Sequence, residues 1–215
     1  MDQQVQKDLV EKITRRYPTD QIFAEEDGLR SPISEGSVWV IDPIDGTNNF
    51  VAQKEDFAVM VAYFEEGHGQ FGLIYDVMRD QLFYGGGEFP VYRNELELTP
   101  FVDRPLDTLL MSSNVGMLEK NEWGMVDLGM KCLGIRVYGS AGISFSKILS
   151  GGILAYFSYL WPWDYAAAAI MGERLGYTVL NLNGDQPNYQ TIEPIMMVPK
   201  AKLSEIQTYL KKGRN

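Results

Sequence analysis

One histidine, His68, and one cysteine, Cys132, are all that this chain of 215 residues has of two versatile catalytic side chains. So little histidine argues against a multi-histidine zinc site and against a Ser-His-Asp triad. A lone cysteine excludes an intrachain disulfide framework and fits a reducing cytoplasm. Basic residues are also scarce, 19 Lys and Arg against 29 Asp and Glu, for a net charge of −10. That balance argues against nucleic acid or an anionic membrane as the main partner, since both reward clustered cations. No apolar run approaches the roughly 20 residues of a spanning helix. No charged, apolar and small-residue sequence opens the chain as a signal peptide would, so a cytoplasmic location is expected. Within these limits the chain is 45% hydrophobic and 22% charged. That is ordinary for a globular protein, with length for one large domain or two intimately packed halves.

Carboxylates, by contrast, are plentiful, and they gather in one kind of place. In Trp39-Val-Ile-Asp-Pro-Ile-Asp-Gly-Thr-Asn48 an apolar run ends in Asp42 and Asp45, with Pro43 stiffening the backbone between them. Two hard oxygen ligands delivered from one rigid turn suit Mg²⁺. Gly46 and Thr47 could then offer N–H groups and a hydroxyl to a phosphate. An ordinary Asp-Pro/Asp-Gly turn after a strand is the competing reading. Glu25-Glu26 follows another short apolar run, and Asp164 opens an Ala-rich helix in Trp161-Pro-Trp-Asp164. Taken alone, Asp164 reads as a helix N-cap and Glu25-Glu26 as a solvated loop. Convergence of these groups would be tolerable only with cations between them, which points to a two-metal phosphate hydrolase. Such cations would also let so acidic a protein accept a phosphate ester.

The pattern along the chain is mixed. Apolar residues at Val5, Leu9, Val10 and Ile13 mark a helix over 2–16. Strands are expected at 21–24, 37–41, 57–64, 71–77 and 81–84, with a turn at Gly85-Gly-Gly87. The second half alternates: strands at 109–113, 135–138, 153–159, 178–182 and 195–198, and helices at 118–130, 142–150, 163–175 and 203–212. Residues 1–100 therefore read as a helix with mainly antiparallel sheet, and 101–215 as an α/β half. Gly67-His-Gly-Gln-Phe-Gly72 spells GxGxxG, but a strand follows where a dinucleotide fingerprint needs a helix, so it reads as a hairpin.

Phe23-Ala-Glu-Glu26, Trp39-Val-Ile-Asp-Pro-Ile-Asp-Gly-Thr47, Val137-Tyr-Gly-Ser-Ala141 and Trp163-Asp-Tyr-Ala-Ala167 occur in this order. Together they resemble the inositol monophosphatase family of Mg²⁺-dependent, lithium-sensitive sugar phosphatases. The resemblance implies an α/β (α+β) fold, a layered α/β/α/β/α sandwich of the inositol monophosphatase and fructose-1,6-bisphosphatase type, usually a homodimer. It implies that Glu25 and Asp42 hold a first metal assisted by the Ile44 carbonyl. Asp42 would bridge to a second metal completed by Asp45 and Asp164, with Glu26 behind them or on a third metal. Mn²⁺ would substitute for Mg²⁺, and Li⁺ would inhibit. Gly46 and Thr47 would cradle the phosphate, and Asp2 would pair with Thr47 to activate water. Gly139, Ser140 and Ala141 would touch the substrate. The implied activity is hydrolysis of inositol monophosphate or a related small phosphate. Alternatives are fructose 1,6-bisphosphate, NADP or an adenosine bisphosphate, or a metal-binding remnant with little activity. Family members carry a helical pair and a Lys-containing loop before the position of Asp2, so the chain is expected to be N-terminally shortened. Their animal enzymes place a substrate-contacting Glu where this chain has Phe157-Ser-Tyr-Leu-Trp161.

Overall fold

Residues 1–210 are described by a computed structural model of the chain. Helix α1 (Asp2–Arg16) ends where Pro18 forbids continuation. Strands β1 (Gln21–Ala24) and β2 (Ser37–Asp45) pair in parallel. A short helix α2 (Thr47–Ala52) follows, and then the antiparallel run β3 (Ala58–Glu65), β4 (His68–Asp76), β5 (Gln81–Gly86), β6 (Phe89–Arg93) and β7 (Leu96–Glu97). These seven strands form one sheet in sequence order. The GxGxxG stretch is the β3–β4 hairpin, turning at Glu66 and Gly67, both with positive φ.

The second sheet has the order β11-β12-β10-β8-β9. Its strands are β8 (Leu110–Ser113), β9 (Gly134–Arg136), β10 (Ala155–Leu160), β11 (Tyr177–Asn181) and β12 (Glu193–Pro199). Helices α3 (Val115–Glu119) and α4 (Met125–Gly129) lie between β8 and β9. Helix α5 (Ala141–Leu149) precedes β10, α6 (Pro162–Arg174) follows it, and α7 (Leu203–Gln207) closes the described chain.

Strand alternation sorts the core into layers. In β12, Ile195 and Met197 face the core shared with α5, α6 and the first sheet, while Met196 and Val198 face α3, α4 and α7. Helix α6 is therefore sandwiched between two sheets. Glycines in the first sheet make that approach possible. A Cβ at Gly72 would lie 2.3 Å from the Ala167 carbonyl oxygen, and one at Gly69 2.4 Å from Ile170. With α1 on the outer face of β2, the order of layers is α/β/α/β/α.

Three expectations need correction. The helix expected over 118–130 begins earlier, at Val115, and is broken in two. Asn121, Trp123 and Gly124 all have positive φ, and the Asn121 side chain accepts from the Val126 N–H at 2.9 Å. The left-handed residues break the old helix, and the Asn121 amide takes up a free N–H in the first turn of the new one. The terminal helix expected over 203–212 stops at Gln207, and residues 211–212 of that range lie outside the described ones. The turn expected at Gly85-Gly-Gly87 starts later, because Gly85 and Gly86 still belong to β5; short α2, β6 and β7 carry too little periodicity to be read beforehand. Among the described residues, no helix is long and apolar enough to cross a membrane.

Candidate metal-carboxylate active site

Asp42 and Asp45 are three residues apart, and in a regular strand they would point to opposite faces. They do not, because β2 carries a bulge between them. Asp42 sits opposite Met60 and Asp45 opposite Ala58, so three steps on β2 match two on β3. The extra residue restores parity, and both carboxylates point to the core face already occupied by Val38 and Val40. Pro43 is accommodated because a bulge is one of the few places in a sheet that tolerates a missing N–H. The strand thus buries two acids, 2% and 7% exposed.

Asp164 arrives from the opposite layer. It is the third residue of α6, behind Pro162 at the first helical position, and its Oδ2 accepts from the Trp161 N–H at 2.7 Å. Helix-start capping and membership of the acidic cluster are therefore roles of the same side chain. One carboxylate oxygen each from Asp42, Asp45 and Asp164 lie within 4.8 Å of one another. Glu25, on the loop after β1, sits beside Asp42 within hydrogen-bonding reach. Glu26 is held through its backbone, with both its N–H and its carbonyl paired to the Gln6 side chain at 2.9 Å.

Asp45 is buried but well supplied with hydrogen-bond donors. Its oxygens accept from the Ala141 N–H at 3.0 Å, the Gly142 N–H at 2.8 Å and the Ser140 hydroxyl. Ser140 itself caps α5 through Ile143. Ser140, Ala141 and Gly142 therefore hold Asp45 at the positive end of α5, while Gly139 lies against the Asn49 side chain. Asn49 joins this loop to α2 by donating to the Tyr138 and Asp56 carbonyls. On the far side, Thr47 Oγ1 lies 3.1 Å from Asp2 Oδ2 and 3.0 Å from the Ile44 carbonyl oxygen. Gly46, at φ 84°, makes the turn, and a Cβ there would meet Ser140 Cβ at 2.9 Å.

The electrostatics follow from crowding like charges in a dry place. Burial, then Asp45 and Asp164, raises Asp42 well above the usual carboxylate range. Burial and Asp45 push Asp164 up to about 8. Burial also raises Asp45, opposed by its three donors. Glu25 is raised by burial and by Glu26 beside it. Asp42 Oδ1 is fully buried and has no hydrogen-bond partner. An orphaned buried carboxylate oxygen among other carboxylates is strongly unfavourable unless a cation or a proton neutralises it. All-oxygen donors favour a hard divalent ion such as Mg²⁺ or Mn²⁺. The residues present fit such an ion.

Gly142 was not visible as a site residue in the sequence, yet it lets the start of α5 reach Asp45. A Cβ there would lie 2.7 Å from Ala58 Cβ and 3.1 Å from Asp45 Oδ2. Alanine is the better helix former by about 1 kcal/mol. Ala58 Cβ, however, is fixed to a central strand and cannot swing aside, so overpacking of about 1–3 kcal/mol wins. Gly142→Ala is expected to lower the melting temperature by about 2–4 °C per kcal/mol lost. An unchanged or raised melting temperature would show that α5 shifts freely.

Comparison with known proteins agrees with this geometry. The inositol monophosphatase family model matches residues 1–212. An inositol-1-monophosphatase of Bacillus subtilis is 34% identical over 191 residues, covering 86% of this chain and 72% of that protein. Inositol monophosphatase II from Staphylococcus aureus superposes with a TM-score of 0.90 at 29% identity, over 97% of this chain and 80% of that one. That enzyme has also been solved with inositol monophosphate and with 2'-AMP bound. An inositol monophosphatase/NADP phosphatase complexed with Mg²⁺ and phosphate gives 0.90 at 25% identity, covering 99% and 81%. Motif, layered fold and matched relatives agree: the chain belongs to the inositol monophosphatase family.

Proposed function

We propose that this protein is a Mg²⁺-dependent phosphomonoesterase acting on inositol monophosphate or a similarly small phosphate ester. The observation that carries the reading is the unpartnered, buried Asp42 Oδ1 within a cluster of three carboxylates beside Glu25. Glu25, Asp42 and the Ile44 carbonyl would hold one ion, and Asp42, Asp45 and Asp164 a second, with Glu26 nearby. Bound divalent ions supply Lewis acidity for hydrolysis, making water more acidic and offsetting charge on the leaving oxygen.

The chain's own groups do the rest. Asp2 Oδ2 takes the hydrogen bond from Thr47 Oγ1. That leaves an oxygen lone pair on Thr47 to receive a proton from the attacking water, with Asp2 as the eventual acceptor. Gly46 lets this turn pack directly against Ser140, the residue that bonds Asp45. Ser140 and the N–H groups of Ala141 and Gly142 hold Asp45 in place, so it needs no reorganisation as charge develops. Neither His68 nor Cys132 is needed, because no covalent intermediate forms. A homodimer in the cytoplasm belongs to the same proposal.

Substrate range is the open choice. Relatives crystallised with inositol monophosphate and 2'-AMP, and one with NADP phosphatase activity, support a panel of those esters plus fructose 1,6-bisphosphate. Phosphate release should require Mg²⁺, fall with Li⁺, and be fastest with one of the monoesters. Failure with every ester at saturating Mg²⁺ would defeat the enzymatic reading in favour of a non-catalytic family member.

A further inference from the structure

Glu25 differs from the aspartates around it in what carries it. Asp42 and Asp45 come from a central strand and Asp164 from a helix, whereas Glu25 stands on a loop. That loop, residues 25–29, reverses through Asp27 and Gly28, at φ 58° and 67°, and closes with the Ala24 N–H on the Leu29 carbonyl at 3.0 Å. A loop this short still leaves a carboxylate free to wander by more than Mg²⁺ tolerates, because that ion demands near-ideal geometry at about 2.0–2.1 Å.

We propose that Arg30 is a positioning residue for the site, tying the Glu25 loop to the start of α6 and so setting Glu25 against Asp164. The assignment rests on the metal-dependent reading above. The Arg30 guanidinium donates to the backbone carbonyls of Ala24, of Leu29 at 3.0 Å, and of Glu25 at 3.2 Å. Its Cζ also lies 4.5 Å from the centre of the Trp163 ring and 5.6 Å from that of Phe23. Trp163 immediately precedes Asp164, is buried, and stacks on Trp161 with centroids 5.0 Å apart and planes 7° from parallel. One planar cation thus grips the carbonyls on both sides of the loop and lies on the ring adjoining Asp164. Gln6 holds the next residue, Glu26, from α1. Lysine could supply the charge but neither the fork of donors nor the flat face.

Charge and position make opposite forecasts here. Arg30 is a cation close to a cation site, so deleting its charge should by electrostatics alone tighten Mg²⁺ binding. Loss of positioning should weaken it. The experiment is calorimetric titration of Mg²⁺ into the unaltered protein, Arg30→Gln and Arg30→Lys, with the metal-free melting temperature recorded for each. Both variants should bind Mg²⁺ about 10-fold or more weakly, the scale seen when groups that orient ligands are removed. In the phosphate-release assay the half-saturating Mg²⁺ should rise in step, while substrate KM at saturating Mg²⁺ stays unchanged. Unchanged or tighter binding in Arg30→Lys would overturn the assignment, as would a lowered melting temperature with unaltered Mg²⁺ affinity. Arg30→Lys alone decides if Arg30→Gln does not fold. Absence of Mg²⁺ binding by the unaltered protein would overturn the metal reading together with this one, whereas intact binding in both variants overturns only the role of Arg30.

Discussion

Asp164→Asn should lower Mg²⁺-dependent phosphate release by more than about 100-fold, beyond the usual effect of altering a ligand's supporting partners. It should also raise the melting temperature of the metal-free protein. Both effects come from one atom. Asparagine has the same shape, and its carbonyl oxygen can keep the bond from the Trp161 N–H that starts α6. Its amide can donate to Asp42 Oδ1, which is buried and unpartnered. Removing one charge from a group of three relieves repulsion in the metal-free fold and removes a ligand from the loaded one. Asp45→Asn is the contrast. Asp45 accepts from three donors, Ser140, Ala141 and Gly142. An amide presents one oxygen to them and turns its own N–H groups toward the rest, so both activity and stability should fall. Calorimetry in EDTA and phosphate-release assays at limiting Mg²⁺ separate the two variants. Wild-type turnover in Asp164→Asn, or equal destabilisation by both changes, would defeat this account of the site.

Such contrasts were only partly legible in the sequence, and the reason is geometric. The Asp-Pro-Ile-Asp motif announces its residues, and β1 and α1 have the bounds that their apolar patterns suggest. What the letters do not announce is that residues three apart share a face, because that depends on a bulge whose partner is β3. The glycines of β4 read as hairpin punctuation, yet Gly69 and Gly72 also clear a groove for α6, a contact with residues about 100 positions away. In α1 the apolar stripe is plain, but the most deeply buried residue is Gln6, whose partner is the backbone of Glu26. Nothing around Arg30 in the sequence signals that its partners are the Glu25 loop and Trp163. In each case the missing information was a nonlocal partner, which a periodic pattern does not encode.

The metal-free protein should lose stability as pH rises from about 4 to about 8, and saturating Mg²⁺ should flatten that decline. The sign comes from the carboxylates. Asp42, Asp45, Glu25 and Asp164 are all raised in the fold, Asp164 from 3.8 to about 8. Between those values the folded chain holds protons that the unfolded chain has released, so each rise in pH favours unfolding. This contribution is fully present below the unfolded pKa and is lost as pH climbs through the folded one. At about 1.4 kcal/mol per pKa unit, the cluster accounts for a few kcal/mol across the window. General repulsion in a chain of net charge −10 acts in the same direction, so the slope by itself is not diagnostic. Asp164→Asn separates the two contributions, because it removes one titrating group and leaves most of the net charge. Its melting temperature in EDTA should match the unaltered protein near pH 4 and exceed it increasingly toward pH 8. With Mg²⁺ at about 100 times its dissociation constant, the unaltered protein should gain about 2.7 kcal/mol. Binding at neutral pH should also release protons, visible as a dependence of the calorimetric heat on the buffer's ionisation enthalpy. Parallel pH profiles for the variant and the unaltered protein would assign the decline to net charge and deny the cluster its raised pKa values.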